Sequence, residues 1–190
     1  MIFFGHLGIT LLLVFIIFTI LRENIDYRFV LVGAILPDLI DKPIGDYIFY
    51  SIFQNGRIFG HTLLFVVVLT IVGALVTKKY KTNIVELLAL GSMFHLAEDQ
   101  MWLTPRTLFW PLFGLEFPKF NLEDYAGYIW YVLFHEPSAY VPEIIGVAII
   151  AGFIGYFRLY KAENLRAFLT NGELTNKEPE KDKAIITNKT

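Results

Sequence analysis

Four stretches of the chain, 2–21, 58–77, 84–102 and 141–160, are each built almost entirely of apolar residues. Each has about the 20 residues that an α-helix needs to cross the hydrocarbon core of a bilayer. Lipid offers no hydrogen bonds, so backbone groups must pair within each segment, and a chain of this pattern is confined to helices. A fifth stretch, 29–40, is apolar but short. It suits a tilted or half-inserted helix covered by its neighbours. The expected fold is therefore all-α: a polytopic membrane helical bundle of about five transmembrane or partly inserted helices. Only 18% of residues are charged, against about 25% in soluble domains. The first stretch lacks a basic start and no small-residue cleavage site follows it, so it reads as a retained helix rather than a signal peptide.

Residues 1–170 are expected to form the membrane-embedded domain. The segment 171–190 is rich in Lys, Glu, Asn and Thr and reads as a disordered polar tail. The long connection 103–140 carries Trp110, Trp130 and many Phe and Tyr, which suit a headgroup interface. Within it, 122–134 reads as a short helix lying on the bilayer. Net charge is −2, which leaves no polybasic face for nucleic acid. There is no cysteine, so disulfides, thiolate metal sites and Cys nucleophiles are excluded.

Loop charges orient the helices. With the N-terminus outside and five crossings, Arg22, Arg28, Lys78, Lys79, Lys81, Arg158, Lys161 and Arg166 lie inside. Lys42, Arg57, Arg106 and Lys119 lie outside. This asymmetry follows the positive-inside rule. The same alternation brings the unusual polar residues to one face. His6 and Glu143 fall at the starts of their helices, and Asp38 and Asp41 at the end of the second. His61 falls just inside the start of the third, and His95, Glu98 and Asp99 at the end of the fourth. The site is thereby expected on the extracytoplasmic face of the cell membrane. Ionisable groups at membrane depth cost several kcal/mol on insertion scales and mark function.

His95 and Asp99 are four apart, and Asp38 and Asp41 three apart, so each pair shares a helix face. Gly33, Gly60 and Gly91 would permit close helix approach. Taken singly, each polar residue has a plainer role. Asp38 could cap a helix or turn, His6 could sit at the interface, and His61 could bond a carbonyl. The His95/Asp99 pair could be an internal hydrogen bond. Independent structural roles, however, require no common depth. His135 reads as a surface residue. The metal set is then His6, Asp38, Asp41, His61, His95 and Asp99. Imidazole with carboxylate suits Zn²⁺, with Mn²⁺ and Fe²⁺ also compatible, over Mg²⁺ or Ca²⁺. Six donors exceed one tetrahedral shell, so either two ions share them or one ion is bound and the others orient it.

The segments GHLGI, GAILPDLIDKP, RIFGHTLLF, HLAED and WPLFG occur in the order and spacing of the YdjM-like family. The chain resembles that family of membrane-bound predicted metal-dependent hydrolases over residues 5–114. The resemblance implies a metal held by the same six residues. The chain departs in two places. Many members have Pro-Asp-x-Asp-His, whereas here the second acid comes one residue later and Lys42 follows. Many also have His-Ser where this chain has His61-Thr62.

The function expected is a membrane-bound metal-dependent hydrolase acting on an ester or phosphoester, lipid-linked or otherwise amphiphilic, at the membrane surface. Arg57 would hold a phosphate or carboxylate, and Glu98 would stand behind a ligand or face solvent, with proton transfer as its catalytic role if it has one. No G-x-S-x-G context surrounds Ser51, Ser92 or Ser138. The alternatives are a non-enzymatic membrane protein with a structural metal, an ion- or proton-conducting polar cluster, or a partner-binding scaffold.

Overall fold

The computed structural model describes residues 1–120, 125–172 and 174. It is helical, with no strand among the described residues. In order the helices are α1 (Phe4–Leu21), α2 (Tyr27–Lys42), α3 (Tyr50–Phe53), α4 (Leu63–Tyr80), α5 (Ile84–Glu98), α6 (Pro105–Leu108), α7 (Tyr125–His135), α8 (Pro137–Tyr156) and α9 (Ala162–Asn171). A π-helical turn, Pro43–Ile48, follows α2, and a 3-10 turn, Met101–Leu103, follows α5.

Helices α1, α4 and α8 are long and apolar enough to cross a membrane. They turn large apolar side chains outward, for example Val68, Ile71 and Leu75 on α4 and Ile16 and Ile20 on α1. Exposed apolar faces of this extent mark a lipid-facing surface rather than a water-facing one. Helices α2 and α5 have 16 and 15 residues, so they span only ~24 and ~22 Å at 1.5 Å per residue. They are the short members of the five-helix set, and they pack closely on each other. A Cβ on Gly91 would sit 2.2 Å from the Val30 carbonyl oxygen, and one on Gly33 2.4 Å from that of Leu88. Only glycine permits such an approach.

Residue pairings give the helix directions. Val30 faces Gly91, and Ala34 faces His95, so α2 and α5 run parallel. Gly5 faces Glu143, and Gly8 faces Gly146, so α1 and α8 also run parallel. Gly73 meets Glu86 while Val66 packs with Leu96, so α4 opposes α5. His6 meets Glu98 while Phe15 meets Tyr27, so α1 opposes both α2 and α5. The starts of α1, α4 and α8 and the ends of α2 and α5 therefore gather at one end of the bundle. The opposite end is closed by Leu11, Val14, Val30, Leu87, Phe153 and Phe157.

Four boundaries differ from those expected: the stretch 141–160 is helical over Pro137–Tyr156, and the other three each shift for a local reason. The stretch 58–77 becomes helical only at Leu63, where the Thr62 hydroxyl accepts from Phe65 N–H at 3.0 Å as N-cap. Before it, the N–H groups of Ile58, Gly60 and His61 bond to the Asp41 carboxylate instead of to a helix. The stretch 84–102 leaves the α-helix at Glu98, and Gln100 adopts φ 52°. The stretch 29–40 runs longer, because Pro37 does not end it. Proline removes the N–H that would bond the carbonyl four residues back, and the Ser92 hydroxyl donates to that Gly33 carbonyl at 3.1 Å. The expected helix at 122–134 is present as α7 from Tyr125; its first residues, 122–124, lie outside the described residues, as do 173 and 175–190 of the polar tail. Helix α9 is not foreseen in the sequence. Gly172 closes it in the left-handed region (φ 71°) and its carbonyl accepts from Tyr27 N–H at 3.1 Å.

Candidate metal centre

His6, Asp38, His61, His95 and Asp99 converge where the helix ends gather. Each arrives from a different local structure. His6 lies in the first turn of α1. That turn is capped from across the bundle by Glu143, whose carboxylate accepts from the N–H groups of Ile2, Phe3 and Phe4. Asp38 lies one turn from the end of α2. His61 precedes the α4 cap, and His95 and Asp99 close α5.

Each histidine has its Nδ1 tied to an oxygen. His6 Nδ1 is 2.9 Å from Glu98 Oε2, His61 Nδ1 2.7 Å from Asp41 Oδ2, and His95 Nδ1 2.7 Å from the Ala34 carbonyl. Carbonyl and carboxylate oxygens accept, so all three Nδ1 atoms carry a proton, and wherever the ring is neutral its Nε2 presents a lone pair. These Nε2 atoms face one another and two carboxylates. His61 Nε2 and His95 Nε2 are 3.2 Å apart. Asp38 Oδ1 lies 3.5 Å from His61 Nε2 and 3.8 Å from His95 Nε2. Asp99 Oδ1 lies 3.3 Å from His6 Nε2, and Asp99 Oδ2 3.7 Å from His61 Nε2. His6 Nε2 is buried without a hydrogen-bond partner. The His6 and His95 rings stack at 3.9 Å.

An array of lone pairs facing carboxylate oxygens is unfavourable unless a cation lies among them. A zinc ion bound tetrahedrally at 2.0–2.1 Å holds two imidazole nitrogens ~3.3 Å apart, close to the 3.2 Å between His61 and His95. Two overlapping sets have ligand atoms within 4.8 Å of one another: His6, Asp38 and His95, and His61, His95 and Asp99. His95 belongs to both. The donor set and its fixed tautomers fit a divalent ion.

A model of the YdjM inner membrane protein family matches residues 1–164. The chain belongs to that family. No curated protein and no solved structure shows a significant match. The resemblance seen over residues 5–114 thus extends through α8, and membership accords with the apolar helices in making this an inner-membrane-type protein.

Three residues of this YdjM-family protein take places other than those expected of them. Asp41 joins the cluster, but its oxygens are engaged by His61 Nδ1 and by the N–H groups of Ile58, Gly60 and His61, at 2.7–3.1 Å. It faces the back of His61 rather than the convergence point. Glu98 likewise lies behind His6, its other oxygen accepting from Thr10 Oγ1 at 2.8 Å. It is not part of the cavity wall. His61 stands in the turn before α4, closed by Thr62 N–H donating to the Phe59 carbonyl at 3.2 Å, rather than in a helix. His135 is exposed, stacked on Tyr131, and far from the cluster in role, as expected.

In front of the cluster lies a cavity of about 240 Å³. Asp38 and Asp99 form its inner wall, with Lys42 and Arg57 beside them and Asp46 nearby. Lys42 Nζ is 2.7 Å from Asp38 Oδ2, and Arg57 Nη2 is 2.7 Å from Asp99 Oδ2. The Met1 amine is 2.9 Å from Asp99 Oδ1. Lys42, the Ala34 carbonyl and Thr10 were not legible as site components. A backbone acceptor leaves no trace in residue type, but the Asp38–Lys42 spacing of four on a helix is a usable signal.

Proposed function

We propose that this protein is a membrane-bound metal-dependent hydrolase whose ligands are His6, His61 and His95 through Nε2 and Asp38 and Asp99 through carboxylate oxygens. The observation that carries this reading is the set of three histidines with Nδ1 engaged and Nε2 converging on two carboxylates. A site made for helix packing alone would satisfy those nitrogens with protein donors. Zinc is the preferred ion, held singly or as a pair sharing His95, with manganese and iron compatible with the donors.

When bound, such an ion acidifies water and polarises an ester or phosphoryl oxygen. The chain's own residues supply the rest. Glu98, Asp41 and the Ala34 carbonyl fix ring orientation and tautomer, as outer partners of metal-bound histidines do. Arg57 stands on the cavity side, where a substrate anion would meet it. The orienting role suits Asp41 and Glu98 better than ligand and proton carrier, because their oxygens meet the Nδ1 side of the rings, whereas Asp38 and Asp99 present oxygens to the Nε2 side. The cavity borders both the polar cluster and the apolar side chains of the bundle, so an amphiphilic ester reaches it from the membrane surface. The site is assigned to the extracytoplasmic side on the distribution of basic residues.

The test is metal analysis of the purified, detergent-solubilised protein alongside hydrolysis of ester and phosphoester substrates. The wild type is expected to hold one or two divalent ions per chain and to lose turnover with a chelator. His95→Ala, which removes the donor common to both ligand sets, is expected to lose most of the metal. Wild-type protein without stoichiometric metal would overturn the metal centre. Metal-loaded protein that turns over no substrate in a broad screen would overturn the enzyme and leave a structural ion.

A further inference from the structure

The cavity in front of the cluster has a second chemical character besides that of the ligands. Lys42 and Arg57 stand on its wall with side chains 31% and 40% exposed, while each is ion-paired to one of the two carboxylates facing the histidines. The farther wall is apolar and aromatic, formed by Ile2, Phe120, Tyr128 and Ile129. Arg57 is held from both sides in chain sequence. Its own N–H donates to Asn55 Oδ1 at 2.8 Å, Asn55 Nδ2 donates to the Pro118 carbonyl at 2.8 Å, and the next N–H, of Ile58, is fixed by Asp41. A guanidinium on a backbone pinned in this way is already placed for an incoming anion, which lowers the ordering cost of binding.

We infer that Lys42 and Arg57 form the anion clamp of a phosphoester substrate whose apolar chain lies against Ile2, Phe120, Tyr128 and Ile129. This rests on the metal-hydrolase reading and narrows its substrate class. Charge decides between an uncharged carboxylic ester and a phosphoester. A divalent ion among the ligands is neutralised by Asp38 and Asp99. Asp38 and Asp99 then turn to the ion, and a phosphoryl group can replace them as the direct partner of Lys42 and Arg57, which an uncharged ester cannot. Arginine matches phosphate oxygens two at a time, and lysine adds a point charge.

The experiment uses full-length, zinc-loaded protein in a nonionic detergent and reads binding, not turnover. Inorganic phosphate, dihexanoyl phosphatidate in its non-hydrolysable phosphonate form, and dihexanoylglycerol are titrated calorimetrically into wild type, Lys42→Ala, Arg57→Ala and Arg57→Lys, with zinc content measured in each sample. Phosphatidate is expected to bind at least tenfold tighter than inorganic phosphate, and dihexanoylglycerol to bind weakest. Each alanine variant is expected to lose about 10–100-fold in phosphatidate affinity, the usual worth of one charge-assisted contact, and Arg57→Lys to recover part of it. Zinc content should stay at the wild-type level. Phosphate binding equal to that of phosphatidate would overturn the lipid-linked class and leave a free-phosphate site. Dihexanoylglycerol binding as tightly as phosphatidate, or phosphatidate binding unchanged in both alanine variants with zinc retained, would overturn the clamp itself. Absence of zinc from the wild type would instead be the failure of the metal reading, and the two failures are read from separate measurements.

Discussion

At the scale of single residues, the two carboxylates behind the histidines separate competing roles. Glu98 read from sequence is a polar group at a helix end, equally suited to moving a proton or holding a neighbour. Its two oxygens meet His6 Nδ1 and Thr10 Oγ1, which favours holding. Glu98→Gln is therefore expected to weaken metal binding about 10–100-fold, the range for outer partners of ligands. A proton carrier would instead keep its metal and lose ~10²–10⁴-fold in rate. A competition titration against a chelator, run beside a rate measurement, distinguishes the two. Asp41→Asn should weaken metal binding similarly and also loosen the chain at 58–61, since one carboxylate holds three N–H groups there. The convergence of His6, Asp38, His61, His95 and Asp99 was legible because helix alternation fixes depth without knowledge of packing. The division between ligands and orienters was not, because it depends on which oxygen faces which nitrogen. The exchange of Ser for Thr62 after His61 is explained by the cap: either hydroxyl can accept from the N–H of residue 65.

At the scale of elements, length alone misjudged α2 and α5, since apolar runs do not report where backbone hydrogen bonds are diverted. Asp41 draws 58–61 out of α4, and the Ser92 hydroxyl lets α2 continue past Pro37. The glycines were legible at Gly33 and Gly91. Gly60 is used differently, to bring the turn before α4 against α2, where a Cβ would sit 2.9 Å from Pro37 Cα. The matching contact of Gly8 on Gly146 went unseen, because glycine in an apolar helix is common and only the partner gives it meaning. Substitution separates these cases. Gly91→Leu and Gly8→Leu would each press side chain into backbone at 2.2–2.4 Å, and both are expected to destabilise by well over ~1–3 kcal/mol, the usual cost of milder overpacking. Gly152→Ala and Gly155→Ala, in α8, meet nothing within 4 Å. They should leave stability unchanged or raise it by up to ~1 kcal/mol through helix propensity. Thermal unfolding in detergent, followed by circular dichroism, measures both sets.

At the scale of the whole molecule, the helix directions make two unlike ends. One gathers the proposed metal ligands, the cavity and the aromatic packing of Phe53, Phe59, Trp110 and Phe117. The other gathers Arg22, Arg28, Lys78, Lys79 and Lys81, with α9 beside it, tied to the start of α2 through Arg28 and the Leu169 carbonyl. Positive charge in short loops stays on the cytoplasmic side during insertion, so the basic end is expected inside and the ligand end outside. The absence of cysteine from the chain makes this directly measurable, since any single introduced thiol is unique. Lys119→Cys, exposed near the cavity end, should react with a membrane-impermeant maleimide in spheroplasts. Glu163→Cys, exposed on α9, should react only after permeabilisation. The reverse pattern would place the centre on the cytoplasmic side with the cluster intact, because the parallel pairs α1/α8 and α2/α5 keep the ligands together whichever way the bundle is inserted. Both thiols labelled from outside would contradict a crossing by α8, the long apolar helix that lies between the two positions. The parity of the chain before Lys119 rests instead on α2 and α5, whose lengths of ~24 and ~22 Å fall short of a hydrocarbon core of ~30 Å.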